Sequence, residues 1–225
     1  MLVKNWMSKP PITIDLNATM QDAIHLLRKH QIRMLPVMEN DQLAGIVTDR
    51  DLKRASASDV ASLELHELID LISRIKVKMI MTKNPVKVPD DYTIEETAAL
   101  LFVHNISGVP VVKQAGELVG VITKNDLFRV LISLTGISKK GIQFAFQLMD
   151  RPGAIKDVTD IIRDYGGRIA SILSTQERVA EGSIKVYIRA YGLDLPSRQR
   201  LKGVIKEKIP VLYLIDHEEK IREIS

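Results

Sequence analysis

The chain has 225 residues, 45% hydrophobic and 27% charged, a globular composition with room for one to three domains. It contains no cysteine, which excludes disulfides, thiolate metal sites, iron–sulfur clusters and a cysteine nucleophile. Thirty-two basic and 28 acidic side chains leave a net charge of +4 with no basic arm or acidic tail, and the few aromatics (Tyr 5, Phe 4, Trp 1) offer no stacking platform for single-stranded nucleic acid.

In chain order, the first residues (MLVKNWMSKPP) lack the long apolar stretch of a signal peptide. A short strand is predicted at Ile12-Thr13-Ile14. Thr19 then reads as a helix N-cap with Asp22 as its capping-box partner, and Met20, Ala23, Ile24 and Leu27 have helical apolar spacing. Strands follow at 35–38 and 44–47, joined by a turn at 39–42, and a second helix starts after Thr48. Apolar positions Leu65, Leu68, Ile69, Leu71, Ile72 and Ile75 predict an amphipathic linker helix.

The same plan then begins again. Val3 to Pro11 matches Val77 to Pro85 at an offset of 74, and Gly45-Ile46-Val47-Thr48 matches Gly120-Val121-Ile122-Thr123 at 75, one residue having been inserted in a turn. The second copy predicts a strand at 86–88, a helix capped by Thr93 and Glu96 with Ile94, Thr97, Ala98 and Leu101 inward, and strands at 109–112 and 119–122. Each copy is strand–helix–strand–strand–helix, too small to bury much surface alone, so the copies should pack together. The remainder alternates Ile142, Phe144, Phe146 and Leu148 as a strand. It turns at Asp150-Arg151-Pro152-Gly153, with Pro152 suited to the first turn of a helix, and continues with that helix, strands at 169–174 and 184–191, a helix near 196–207 and a strand at 211–215. That order, βαββαβ, is ferredoxin-like, and the whole chain is of the α+β class.

The motif Gly-h-h-Thr-x-x-Asp, where h is apolar, occurs twice, ending in Asp51 and Asp126. A helix starting at Thr48 or Thr123 would aim free N–H groups and its dipole outward, an arrangement that suits phosphate, while the carboxylate suits ribose hydroxyls. Equally, Thr-x-x-Asp is a capping box that does no more than hold the helix start. Histidines 25, 30, 66, 104 and 217 show no metal-ligand spacing, and the equivalence of His30 and His104 favours helix-end roles. Gly136 to Gly141 begins like a P-loop, but Ile142 and Gln143 stand where Lys and Ser/Thr are needed; there is no catalytic signature.

The duplicated motif and the Pro36-Val37 and Pro110-Val111 strands resemble a tandem pair of CBS domains, the Bateman module. The βαββαβ remainder resembles an ACT domain, and the order of the three is similar to bacterial acetoin-utilisation AcuB-type proteins. The resemblance implies CBS domains over residues 1–60 and 77–136, a helical linker over 61–76, an ACT domain over 141–217 and a tail over 218–225. It implies an adenine nucleotide (AMP, ADP or ATP) as ligand, with no prosthetic group and no metal. Asp51 and Asp126 would hold ribose, and Thr48 and Thr123 would contact phosphate. Thr13, Ile14, Met34 and Pro36 would line one adenine pocket; Val88, Val109 and Pro110 the other. Arg33, Arg50 and Lys124 are candidate phosphate partners or simply solvated charges. Because Lys87 replaces Thr13 and Asn125 replaces Arg50, the first cleft is the preferred one. In the ACT part, Asp150, Pro152, Gly153 and Ala154 would form a small-effector loop, with an amino acid as one ligand class, or else only a tight turn.

The expectation is a cytoplasmic, homodimeric, non-enzymatic regulator with an unidentified protein target, tied to acetoin or acetate metabolism, and with no membrane or direct nucleic-acid partner. Ligand would reorient the CBS pair and act on the ACT domain through residues 135–142. The alternative is a structural dimer without ligand, serving a metabolic enzyme or a transcriptional regulator.

Overall fold

The computed structural model describes residues 1–57 and 74–224. They form two compact units, Met1–Phe128 and Arg129–Ser225. The amphipathic helix expected between the repeats falls on residues outside those described, except 74–76, of which Ile75 packs against the core of the first repeat.

The first repeat comprises β1 (Ile14–Asp15), α1 (Met20–Lys29), β2 (Met34–Glu39), β3 (Gln42–Thr48) and α2 (Asp49–Ala57). After a short α3 (Val77–Ile80) and β4 (Thr82–Lys83), the second comprises β5 (Val88–Pro89), α4 (Ile94–Val103), β6 (Gly108–Val112), β7 (Leu118–Thr123) and α5 (Lys124–Leu134). In both, the first strand runs parallel to the second and the second antiparallel to the third.

The expected first strands begin two residues late. Ile14 pairs with Val37 and Val88 with Val111. The next positions back on the partner strands are Pro36 and Pro110, which have no N–H for a ladder. The turn between β2 and β3 has Asn40 and Asp41 at positive φ, the hand that a two-residue hairpin needs. The corresponding turn of the second repeat is longer, closed by the Lys113 N–H on the Glu117 carbonyl and carrying Gly116 at positive φ. Here lies the inserted residue.

Both expected capping boxes form. The Thr19 hydroxyl accepts from the Asp22 N–H at 3.1 Å, the Asp22 carboxylate accepts from the Thr19 N–H at 2.9 Å, and Thr93 and Glu96 do the same. The Thr19 hydroxyl, then its N–H, holds the Asp22 carboxyl below the usual range; for Glu96 the Thr93 N–H is the larger cause and the hydroxyl the second. His30 and His104 are the C-caps of these helices.

The repeats exchange their leading segments. Val3 and Lys4 donate N–H bonds to Tyr92 and Asp90, whereas Val77 and Lys78 donate to Ala18 and Leu16. Ser8 bridges to Val121 on β7, and β4 pairs with β3. Each strap, 2–8 or 76–82, thus completes the sheet of the other repeat. Val3 and Val77 are 0% exposed, so each strap also adds a core residue.

In the second unit, β8 (Ile142–Met149) is the middle strand. With α6 (Ala154–Asp164), β9 (Arg168–Thr175), β10 (Ser183–Tyr191), α7 (Leu195–Lys208) and β11 (Val211–Asp216) it gives the expected βαββαβ order. The antiparallel sheet runs β11–β8–β10–β9, and a strand the sequence did not suggest, β12 (Ile221–Ile224), is added beside β11. Four residues of the expected tail, Ile221–Ile224, are therefore a strand. The Asp216 carboxylate accepts from the Glu218 and Glu219 N–H groups at 3.0 Å each, which reverses the chain. Arg198 and Lys202 of α7 reach Glu218 and Glu219, and Lys206 reaches Glu223, so three positions one turn apart hold the hairpin. Asp216 is fully buried between Arg198 at 3.6 Å and Lys202 at 2.6 Å. Burial pushes its carboxyl up, but the Lys202 ammonium and the two N–H donors outweigh that and hold it below the usual range.

Phe144, Phe146, Val186, Ile188 and Leu214 meet Val158 and Ile162 of α6 and Leu201 and Ile205 of α7 in one core. Gly166 at positive φ follows the end of α6. Pro152, expected inside the first turn of α6, lies in the turn before it, because Gly153 at φ 87° is the N-cap.

Candidate functional site

The sheet of each repeat brings the candidate residues to one end. The pairing of Ile14 with Val37 sets Thr13 beside Pro36, Pro36 pairs with Ile46, and Met34 pairs with Thr48, where α2 begins. In the second repeat Lys87 falls beside Pro110, Pro110 pairs with Val121, and Gly108 pairs with Thr123, where α5 begins. The two strand-to-helix junctions are thus equivalent in backbone register, with Lys87 at the place of Thr13 and Gly108 at that of Met34.

At each junction the carboxylate turns back onto the threonine. Asp51 Oδ2 accepts from the Thr48 N–H at 3.0 Å and the Thr48 hydroxyl at 2.6 Å; Asp126 Oδ2 accepts from Thr123 at 2.9 and 2.7 Å. The Asp51 and Asp126 N–H groups donate to the threonine oxygens at 3.3 and 3.4 Å. The Asp49 N–H donates to the Arg33 carbonyl and the Lys124 N–H to the Ser107 carbonyl. The expectation of a row of free N–H groups is therefore corrected. Three of the first four at each helix start are engaged, and the dipole is the larger part of what the junction offers an anion.

The remaining candidates divide by burial. Ile14, Val88 and Val109 put their side chains in the core, so their contribution at the sheet's end is backbone. Pro36 and Pro110 are buried, Thr13 and Met34 are half-buried, and Arg50 and Lys87 are exposed. At the first helical position Asp49 in one repeat stands against Lys124 in the other, both half-buried. Arg54 Nη2 lies 3.5 Å from Asp51 Oδ1, a partner one helical turn on that i,i+3 spacing could have suggested. The motif's glycine has a steric basis: a Cβ at Gly45 would lie 2.7 Å from the Thr82 carbonyl, and one at Gly120 would lie 2.9 Å from the Ser8 carbonyl. An open groove on α1, lined by Gln21, Ile24, His25, Arg28 and Lys29, includes none of the candidates.

In the second unit Asp150, Pro152, Gly153 and Ala154 do lie together at the head of α6. The Asp150 carboxylate accepts from the Gln176 side-chain amide at 2.6 Å, facing the β9–β10 loop. Arg151, not among the candidates, spans the first turn of the helix through Asp157 at 2.6 Å. Among the described residues no three His, Asp or Glu side chains cluster as a metal site, and no helix is long and apolar enough to cross a membrane.

The CBS domain family matches residues 3–58 and 77–133, leaving 134–225 outside the match. A CBS domain-containing protein of Dictyostelium discoideum is 39% identical over 134 residues, 59% of this chain and 92% of that one. The solved CBS domain pair of protein MJ0100, in complex with 5′-methylthioadenosine and S-adenosyl-L-methionine, is 32% identical, with a TM-score of 0.50 over 58% of this chain and 95% of that one. A putative acetoin utilization protein (AcuB) from Vibrio cholerae is 28% identical, with a TM-score of 0.51 over 61% of this chain and 95% of that one. The L-aspartate semialdehyde sulfurtransferase of Methanocaldococcus jannaschii is 35% identical over 57% of this chain, a stretch that spans 23% of that enzyme.

Proposed function

This chain belongs to the CBS-domain family, and we propose that it is a non-enzymatic regulator whose paired repeats bind an adenosine-bearing ligand. The observation that carries the reading is the duplicated strand-to-helix junction, Thr48 to Asp51 and Thr123 to Asp126, set in equivalent register at the end of each sheet. The likeness to a domain pair solved with 5′-methylthioadenosine and S-adenosyl-L-methionine supports that ligand class. Asp51 and Asp126 are assigned to ribose hydroxyls, the threonines to the polar group beyond the ribose, and Thr13, Met34 and Pro36 to one side of the base. The first cleft is the stronger candidate, because its repeat has Thr13 where the other has Lys87.

The residues from 141 on are read as an ACT-like unit that dimerises the protein or takes a second small effector, such as an amino acid, at the head of α6. Homodimer formation draws support from Phe102 and Val103, exposed at the end of α4. The likeness to the Vibrio cholerae protein makes acetoin or acetate metabolism the first pathway to test. A ligand-free structural role is the second reading. It is favoured by the capping boxes, which by themselves account for Thr48 and Asp51.

Titration of AMP, ATP and S-adenosyl-L-methionine against wild type, Asp51→Ala and Asp126→Ala, with melting curves alongside, separates the two. Hydrogen bonds to a charged group are worth about 1.5–3 kcal/mol, so losing the ribose contacts should weaken binding at least tenfold, more for Asp51→Ala. The structural reading expects a stability loss of about 1 kcal/mol from each broken cap and no adenosine ligand bound at millimolar concentration.

A further inference from the structure

Helices α6 and α7 cover one face of the C-terminal sheet. Alternation along the strands puts Gln143, Ser171, Arg189 and Tyr213 on the other face. Arg189 is 3% exposed, and among the described residues it is paired with no carboxylate. Its bonds go to neutral oxygens: Nε to the Thr135 carbonyl at 2.9 Å, Nη1 to the Lys140 carbonyl at 3.2 Å and Nη2 to Gln143 Oε1 at 2.8 Å. A buried guanidinium without a counter-charge is costly, so those acceptors must hold it in place.

Two of the acceptors belong to the segment joining α5 to β8. The Thr135 carbonyl also accepts the Ser171 hydroxyl at 2.9 Å, and the Gln143 amide donates to the Tyr213 phenol at 3.2 Å. One hydrogen-bonded chain therefore runs from β11 through β8 and β10 to β9 and takes in the connection. The connection has a backbone that needs outside support. Lys140 has φ 53° without being glycine, and Gly136 and Gly141 are also at positive φ. A Cβ at Gly141 would overlap the Ala190 carbonyl, so the chain lies directly against β10. Backbone of this kind persists where its surroundings over-determine it.

We propose that Arg189 clamps the connection at residues 135–140 onto the sheet, so that displacement at the end of α5 is delivered to strands β11, β8, β10 and β9 rather than absorbed in a hinge. Delivery of a ligand signal along this route rests on the sensor reading above; the clamp does not.

The test is amide exchange at Lys139 and Lys140, with tryptic cleavage after the same residues, in wild type and Arg189→Met. Exchange and cleavage should rise at least tenfold while α6 and α7 stay protected. Should Arg189→Met lose the protection of α6 and α7 as well, Ser171→Ala with Gln143→Leu leaves the guanidinium in place and should give a two- to threefold rise. Wild-type rates in a folded variant overturn the clamp. With S-adenosyl-L-methionine added, wild type should change its exchange at 139–140, and Arg189→Met should bind within twofold of wild type without that change. An unchanged response in the variant overturns the delivery route. Absence of binding to wild type counts against the sensor reading, and the clamp is then decided by the ligand-free rates.

Discussion

The outer face of α1 exposes Gln21, His25, Arg28 and Lys29, whereas α4, built on the same register with a capping box of the same form, exposes Glu95, Ala99, Phe102 and Val103. His25, Arg28 and Lys29 of one repeat are thus Ala99, Phe102 and Val103 of the other. Inside, the repeats are nearly interchangeable: Met20, Ala23 and Leu27 are buried in α1, and Ile94, Thr97 and Leu101 in α4. Inward positions are held alike by packing that both copies share. Outward positions are free to diverge, and under the homodimer proposal the exposed Phe102 and Val103 make the second repeat the one to test for self-association.

The comparison can be broken most sharply at the straps. Gly45→Val and Gly120→Val both drive a side chain into a strap carbonyl that has no room to yield. Each should cost about 3 kcal/mol, the upper end for overpacking, in urea denaturation. A large loss at one position only would mean that the two exchanges differ in kind. Next come Val3→Ala and Val77→Ala, each removing a fully buried side chain, at about 2 kcal/mol each by the same measurement. Thr19→Ala and Thr93→Ala should cost about 1 kcal/mol each as lost caps. They should also change the acid limb. The depressed carboxyls of Asp22 and Glu96 give stability that is present above the ordinary carboxylate range and is lost as pH falls through their lowered values. Thermal melts between neutral pH and pH 2 should therefore fall less steeply for both variants than for wild type. The smallest effect on stability, within about 0.5 kcal/mol, is expected from Arg28→Ser and Phe102→Ser. Sedimentation should separate them, with only Phe102→Ser weakening self-association.

Much of the frame could be read from residues alone because the determinants are local. Thr19 with Asp22 and Thr93 with Glu96 name their own helix starts, and the apolar spacing after them names the buried face. The shift of offset from 74 to 75 names the turn with the extra residue. The exchange of straps was not legible, because Val3 and Tyr92 meet across nearly half the chain and no periodicity encodes that pairing. The glycine of each repeated motif was visible, but its reason lay in the other repeat's strap. At the helix starts the capping-box alternative was legible in Thr-x-x-Asp and accounts for two engaged N–H groups in each repeat. The third, of Asp49 or Lys124, was out of reach, because it depends on the Arg33 or Ser107 carbonyl that only the folded sheet brings near. β12 was missed because Ile221–Ile224 is short and charged between its isoleucines, and its partner charges sit on α7.

The reciprocal straps mean that the unit which repeats in sequence is not the unit which closes in space. A polypeptide of one repeat's length, built to this geometry, would have a leading segment with no sheet of its own to finish and a sheet lacking its last edge. Two such polypeptides related by a two-fold axis would satisfy each other completely, since each contact made by one would be returned by the other. Covalent duplication converts that bimolecular association into an internal one, independent of concentration. It also frees the two outer surfaces to be changed one at a time, which a symmetric pair of identical chains could never do.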